Sequence, residues 1–358
     1  MTSEAMVTLL RELVEIESPT RSPGVRGVAE RMASELAALG ADVEILDGDH
    51  LRAEIHGRGR PLLVIGHTDT VWPVGTLETM PFRVEDGRAH GPATYDMKGG
   101  LVLLVVAIAE ARTERALSVF LTADEELGSP TARPLLEEAA QDMAAALVVE
   151  PPGKNGDLKT SRKGVGRFVL KVQGRAAHSA VPAHGANAVE ELAHQVLRLQ
   201  GLNDEARGLT VTVGVVGGGT TYNVVPAAAE AKIDVRVERA DEIAEVEAAL
   251  RTLESTVPGT TLELTGGWTR PPLERSPGSS ALFARAHEYG RELGLDLHEG
   301  HSRGGSDGNI VGALGVPVLD GLGPEGAGAH AVDEHVLVAS LPVRAQILAR
   351  LLRDPGID

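Results

Sequence analysis

The run Pro61-Leu62-Leu63-Val64-Ile65-Gly66-His67-Thr68-Asp69-Thr70 limits what this chain can become more than any other stretch. Consecutive large aliphatic residues between a proline and a glycine predict a strand covered on both faces, the habit of parallel strands packed between helices. Ligands bind such sheets beyond the carboxyl ends of the strands. Here that end carries His67 and Asp69. Side chains at i and i+2 of an extended segment share a face, so an imidazole and a carboxylate point to one place. Imidazole is a common metal ligand, and a carboxylate beside it fixes its tautomer. Taken alone, His-x-Asp equally describes a polar turn after a strand.

The pattern returns along the chain. Leu117–Leu121 predicts a second buried strand, and it runs into Asp124, Glu125 and Glu126. Three acidic residues in a row at a strand end are costly unless something positive holds them, although a solvated acidic turn is the plainer alternative. Ala146–Val149 predicts a third buried strand that ends in Glu150, before Pro151 and Pro152. The segment from Gly91 to Gly100 leads into the apolar run Leu101–Ala109, which predicts a buried helix. Asp96 then stands just ahead of its N-terminus, where unpaired amides and the dipole favour a carboxylate. An N-cap explains Asp96 by itself, but parallel strands would bring all these groups to one edge. With no cysteine in the chain, any metal there must be held by His, Asp and Glu, a donor set suited to Zn, Mn or Co.

A length of 358 residues predicts two domains. Helices are expected over 3–16 and 25–39, and strands over 42–46 and 51–55. From Gly164 the character changes. Strand 167–172, a helix from the Asn187 cap to Leu199, strands 209–216 and 230–238, a helix capped by Asp241, and strand 261–264 make a βαββαβ order, a ferredoxin-like unit. Glu230–Glu238 alternates apolar and charged residues, as in a sheet with one wet face. The α/β character then resumes with helix 280–293, strand 316–319 and helix 341–352. The expected boundaries are 1–163 and 273–358 for one domain and 164–272 for the insert.

The net charge of -17 argues against a nucleic-acid partner. Leu101–Ala109 is the longest apolar run and is too short to span a bilayer, so no membrane partner is expected. Met1-Thr2-Ser3-Glu4 lacks the basic-then-apolar pattern of a secretion signal, which predicts a soluble, cytoplasmic protein.

Six segments in register resemble one family. They are GHTDT with His67, GPATYDMKGG with Asp96, ADEELGS with Glu125 and Glu126, Glu150 itself, AAHSAVP with His178, and GAHAVDE with His330. Together they are similar to the co-catalytic zinc peptidases and amidohydrolases. These include glutamate carboxypeptidases, acetylornithine deacetylases, succinyl-diaminopimelate desuccinylases and aminoacylases. The PFRVEDGRAHGP and RKGVGRF stretches resemble the glutamate-carboxypeptidase branch. The resemblance covers essentially the whole chain. It implies a zinc-exopeptidase-like α/β fold, a mixed sheet flanked by helices, with the ferredoxin-like insert as a lid and dimerisation domain. It implies two Zn2+ per chain, with Co2+ or Mn2+ as substitutes, and a homodimer. By the same resemblance His67 and Glu150 bind one zinc, Glu126 and His330 bind the other, and Asp96 bridges both. Glu125 is then the general base and Asp69 orients His67. His178 becomes the oxyanion partner, reaching from the other subunit. A cis peptide is implied at Asp96–Met97, where several relatives carry a second Asp in place of Met97.

Amide hydrolysis needs a nucleophile, a polarised carbonyl and a proton for the leaving amine. A metal pair can clamp a hydroxide and stabilise the developing charge, and a free carboxylate beside a ligand carboxylate can carry the proton. Glu125 beside Glu126 has that form. Arg270 resembles a family position that binds the substrate's terminal carboxylate, for which a planar guanidinium is suited. Asn223 is a further candidate polar contact, and Gly304, Gly305 and Ser306 are candidate donors of backbone amides. The expected substrate is a small peptide or N-acyl amino acid, with a C-terminal glutamate or similar residue as the leading choice. The alternatives are a biosynthetic N-acyl-amino-acid deacylase and an inactive relative that acts as a binding protein.

Overall fold

A computed structural model describes residues 1–357. The chain divides into two compact units: one of Met1–Arg162, Arg275–Ser302 and the residues from Ser306 on, the other of Lys163–Glu274 with Arg303–Gly305. The first unit is built on a six-stranded sheet in the order Asp42–Ile45, Leu51–Ile55, Arg115–Thr122, Arg58–His67, Ala145–Val148, Val318–Leu319. The strand that ends in His67 lies inside it and is buried from Leu62 onward. It pairs in parallel with a strand on each side, with His67 opposite Thr122 and Ile65 opposite Val148. The register therefore brings the three chain segments that carry His67, Glu125 and Glu150 out at one edge. Asp42–Ile45 and Leu51–Ile55 join as an antiparallel margin.

The apolar run after Asp96 forms the helix Gly99–Ala111, buried on nearly every side. A helix without a polar face must lie inside the protein; this one packs against the helices Ser3–Glu15 and Ser340–Arg353. Gly100 admits close contact at its N-terminus, since a Cβ there would come within 2.0 Å of the Val149 carbonyl oxygen. That approach seats the start of the helix directly against the strand that leads to Glu150. Among the described residues, no helix is long and apolar enough to cross a membrane.

The second unit has the βαββαβ order of a ferredoxin-like fold: Gly164–Gln173, the helix Ala188–Gln200, Thr210–Gly218, Ala228–Val237, the helix Ala240–Arg251 and Thr261–Arg270. The sheet is antiparallel throughout, and Gly164–Gln173 lies between Ala228–Val237 and Thr261–Arg270. Ala231, Ile233, Val235 and Val237 are buried in its core, the face expected from alternation. Asn187 caps its helix by accepting from the Val189 and Glu190 amides. Asp241 does not cap the next helix. Arg239 occupies that position, and Asp241 falls in the first turn, where the dipole still favours it. The last strand runs to Arg270 rather than Leu264, because pairing with the first strand continues past the glycines 266 and 267.

Glu191 holds this unit's loop in place. Its carboxylate is fully buried and accepts from the Thr256 amide (2.7 Å), the Val257 amide (2.6 Å), Gln195 Nε2 (2.5 Å) and Thr260 Oγ1 (3.1 Å). Burial pushes its pKa up, but these donors win and hold it below the ordinary carboxylate value. A carboxylate depressed in the folded state adds stability above its unfolded pKa, and that stability is lost as pH falls through the folded value. Glu191→Ala is expected to cost about 3 kcal/mol at neutral pH, read as a lower denaturation midpoint, since charged hydrogen bonds each contribute roughly 1.5–3 kcal/mol. The deficit relative to the parent should shrink below about pH 4; a deficit constant with pH would refute the assignment.

Candidate metal centre

His67, Asp69, Asp96, Glu125, Glu126, Glu150, Ser306 and His330 all belong to the first unit. Asp96 lies at the middle of the cluster. Its Oδ1 is 3.2 Å from His67 Nε2, which is in turn 3.6 Å from Glu150 Oε1. Its Oδ2 is 3.3 Å from His330 Nε2, which is also 3.3 Å from Glu126 Oε1. One carboxylate thus divides its two oxygens between two groups of donors. Donor atoms of His67, Glu125 and Glu150, and of His67, Asp96 and Glu126, lie within 4.8 Å of one another. The Asp96–Met97 peptide is cis, as the resemblance implies.

The donors fit a metal. Four ligands at about 2.0–2.1 Å from a tetrahedral zinc stand roughly 3.3 Å apart, close to the separations above. Glu126 Oε1 is buried with no well-formed hydrogen bond and only the ring nitrogen His330 Nε2 set against it, at 3.3 Å, a costly state for a carboxylate oxygen that a bound cation would relieve. His67 presents Nε2 to the cluster while Nδ1 lies 3.0 Å from the Asp69 carbonyl oxygen. That contact places the proton on Nδ1 and leaves Nε2 as a lone-pair donor.

The electrostatics follow from crowding. Burial alone pushes the His67 imidazole down, but hydrogen bonds to Asp69 and Asp96 hold it well above its ordinary value. Burial pushes Asp96 up, and His330 and His67 outweigh it and hold it well below the carboxylate range. Hydrogen bonds to Asp96 and Glu126 raise His330 to about 10. Glu150 is raised to about 7 by burial and then by the Asp96 charge. Behind it, the buried Arg162 donates to both oxygens of Asp320 at 2.6 and 2.7 Å and stands 4.0 Å from Glu150 Oε2.

Asp69 does more than the sequence predicts. Its carboxylate lies 3.4 Å from His67 Nδ1 and accepts from the Glu125 amide (3.1 Å), the Glu126 amide (3.2 Å) and Thr20 Oγ1 (2.7 Å). One side chain therefore ties the histidine to the short turn Glu125–Leu127. The same loop is held by Asp307, which accepts from Thr122 Oγ1 (2.7 Å) and from Ser129 Oγ. His50 accepts the Ala123 amide on Nδ1 at 3.0 Å, and its Nε2 lies 3.1 Å from Thr131 Oγ1. The SDG run in GGSDG was a signal for Asp307. Nothing in the local sequence marks His50.

The remaining predicted site residues are placed as follows. Ser306 is fully buried; its amide donates to Asn309 Oδ1 (2.9 Å) and its hydroxyl to Asp320 Oδ2 (2.6 Å). That amide therefore already has an acceptor within the chain. His178, Asn223, Arg270, Gly304 and Gly305 belong to the second unit. There, His178 and Asn223 lie on adjoining segments, with the Ser179 amide donating to the Asn223 carbonyl at 3.0 Å and His178 bridged to Val224. Arg270 is buried against Gly305, where a Cβ would stand 2.9 Å from its Cδ.

Residues 63–354 match the model of peptidase family M20/M25/M40. The chain belongs to this family. As a member of the M20 group it is a metal-dependent hydrolase of peptide or amide bonds, and the family metal is typically zinc. Carboxypeptidase G2 of Pseudomonas sp. (strain RS-16) is 32% identical over 375 residues, covering 98% of this chain and 89% of the relative. The succinyl-diaminopimelate desuccinylase of Thioalkalivibrio sulfidiphilus (strain HL-EbGR7) is 28% identical, covering 96% of this chain and 97% of the relative. Aminopeptidase PepT from Bacillus cereus ATCC 10987 shares the fold with a TM-score of 0.82 at 20% identity, over 99% of each chain. The M20 metallo-carboxypeptidase Sso-CP2 from Sulfolobus solfataricus does so with a TM-score of 0.78 at 17% identity, over 98% of this chain and 99% of the other.

Proposed function

We propose that this chain is a binuclear metallohydrolase of the glutamate-carboxypeptidase type, cleaving the amide bond of a small peptide or N-acyl amino acid. The observation that carries the reading is the division of Asp96, with Oδ1 toward His67 and Glu150 and Oδ2 toward His330 and Glu126. His67, Asp96 and Glu150 would hold one ion, and Asp96, Glu126 and His330 the other. Zinc suits the donor set, with cobalt or manganese as substitutes. When bound, such ions polarise a carbonyl oxygen and make water a nucleophile at neutral pH.

The chain's own residues do the rest. Glu125 takes a proton from the attacking water and delivers it to the leaving nitrogen. Asp69 keeps the His67 proton on Nδ1 and fixes the Glu125 backbone. Arg270 pairs with the substrate carboxylate, flanked by Gly304 and Gly305, and Asn223 contributes a polar contact. Ser306 anchors the segment that follows the two glycines. His178, supplied by the second subunit of a homodimer, stabilises the developing oxyanion. Dimerisation is supported by apolar exposure on the insert, at Leu197 (73% exposed) on its first helix and Val215 and Val216 (54% and 60%) on its outer strand. An open sheet edge is a template for pairing with another chain, and exposed apolar side chains on it favour that use.

A second reading, an N-acyl-amino-acid deacylase, is favoured by the desuccinylase relatives. The two separate in a hydrolysis panel of N-acylated glutamates, dipeptides, N-acetylornithine and succinyl-diaminopimelate with zinc, cobalt and manganese, following free amine. The carboxypeptidase reading expects kcat/KM highest on substrates with C-terminal glutamate. Preference for acetylornithine or the succinyl substrate would overturn it.

A further inference from the structure

Glu334 lies four residues beyond His330 and is fully buried. Its Oε1 accepts from the backbone amides of Tyr95 (2.9 Å) and Asp96 (3.0 Å). Its Oε2 accepts from the Ala93 amide (3.0 Å) and from Trp72 Nε1 (2.8 Å). An ionised carboxylate has about four lone-pair sites, and here every one has a donor. A carboxylate so saturated is neither a metal ligand nor a base; its effect is on the backbone it holds.

That backbone is irregular. Ala93 has φ 58°, and Asp96 and Met97 depart from helical dihedrals within the turn Thr94–Lys98. Glu334 is itself fixed to the same loop, since the Gly91 amide donates to its carbonyl (3.3 Å). On its other side it shares one turn with His330: its amide donates to the Ala331 carbonyl at 3.0 Å, and the Ala331 amide donates to Gly328 at 2.8 Å. The turn is tight enough that a Cβ on Gly328 would stand 2.9 Å from Glu334 Cα. The His330 turn and the Asp96 segment therefore meet twice, once through their ligand atoms and once through the Glu334 carboxylate.

We propose that Glu334 is a positioning residue that sets the separation of Asp96 Oδ2 and His330 Nε2, and so builds the edge across which a metal ion binds. This rests on the metal-holding role proposed above for those two residues. It assigns to the last residue of the GAHAVDE segment a role of its own, that of placing the histidine within it against Asp96.

The test compares the parent with Glu334→Gln. A glutamine has one acceptor oxygen, so whichever way the amide is turned its NH2 faces two N–H donors. Zinc and cobalt are titrated singly against a competing chelator, the Co2+ visible absorption is recorded, and kcat and KM are measured at saturating metal. Weakening of metal affinity by about 10–100-fold is expected, the range seen when a partner behind a metal ligand is lost, with a changed Co2+ band and a lower kcat at similar KM. A residue that merely stabilises the fold would lower the melting temperature and move none of these. Affinity within twofold of the parent with an unchanged band overturns the inference, whatever the melting temperature. If the variant is not recovered folded, Trp72→Phe removes one donor from Oε2 and is expected to weaken metal binding on the order of threefold; parent-like affinity there overturns the inference equally. A parent that binds neither ion removes the metal reading itself, whereas parent-like binding by the variants removes this inference alone.

Discussion

Replacing Glu125 with glutamine is expected to lower kcat by about 10²–10⁴-fold while the metal content stays at the parent level, since that is the usual worth of a positioned proton carrier. The expectation comes from how the two neighbouring glutamates differ. Glu126 brings Oε1 within 3.3 Å of His330 Nε2, at the Asp96 Oδ2 side of the cluster. Glu125 shares the other group, with donor atoms of His67 and Glu150. The isosteric amide keeps shape and burial, and the Glu125 amide still donates to Asp69, so the loop is expected to hold its place. What is removed is a base. KM should change little, and the limb of the pH–rate profile set by this carboxylate should disappear. Glu126→Gln should behave differently, losing metal as well as turnover. A Glu125→Gln enzyme that is fully loaded and keeps more than about a tenth of the parent rate would exclude Glu125 as the proton carrier.

Which parts of this molecule could be seen in the chain beforehand follows from the range of the interactions involved. The strand that ends in His67 and the helix after Asp96 are announced by unbroken apolar runs, because burial on both faces leaves no room for polar residues. The βαββαβ insert is legible through strict alternation at Glu230–Glu238 and through the Asn187 cap. The short strands Arg83–Glu85, Arg88–His90, Gly326–Ala327 and His335–Leu337 are not, since at two or three residues each, mixed in polarity and partly exposed, they carry no period to detect. Yet they form one small sheet, and its hairpin holds His330 and Glu334. The proposed metal donors sit in recognisable motifs, but what fixes them does not. His50 meets the Glu125 loop across 73 residues and Glu334 meets Asp96 across 238. Contacts of that span leave no local pattern.

Chelation should abolish turnover, to about one part in 10³ or lower, because stabilisation of the developing charge is worth several kcal/mol. It should also expose a pH dependence of defined sign. Stripped of metal, His330 has a folded pKa of about 10, raised by Asp96 and Glu126, and His67 is raised by Asp69 and Asp96 against burial. A histidine raised in the folded state adds stability that is complete below its unfolded pKa and is lost as pH rises through the folded value. Glu150, raised to about 7 by burial and the Asp96 charge, acts in the same direction, since ionising it in the folded state is unfavourable. The stripped protein should therefore lose stability between about pH 6 and pH 10. Metal binding needs both imidazoles neutral and the carboxylates ionised, so it strengthens over the same interval. The gap in melting temperature between loaded and stripped protein is thus expected to widen with pH. At pH 7 loading should release about two to three protons, one from each imidazole and a fraction from Glu150, measurable by titration calorimetry in buffers of different ionisation enthalpy. A gap that narrows with pH, or loading that releases no protons, would mean that these histidines are not the residues a metal displaces protons from.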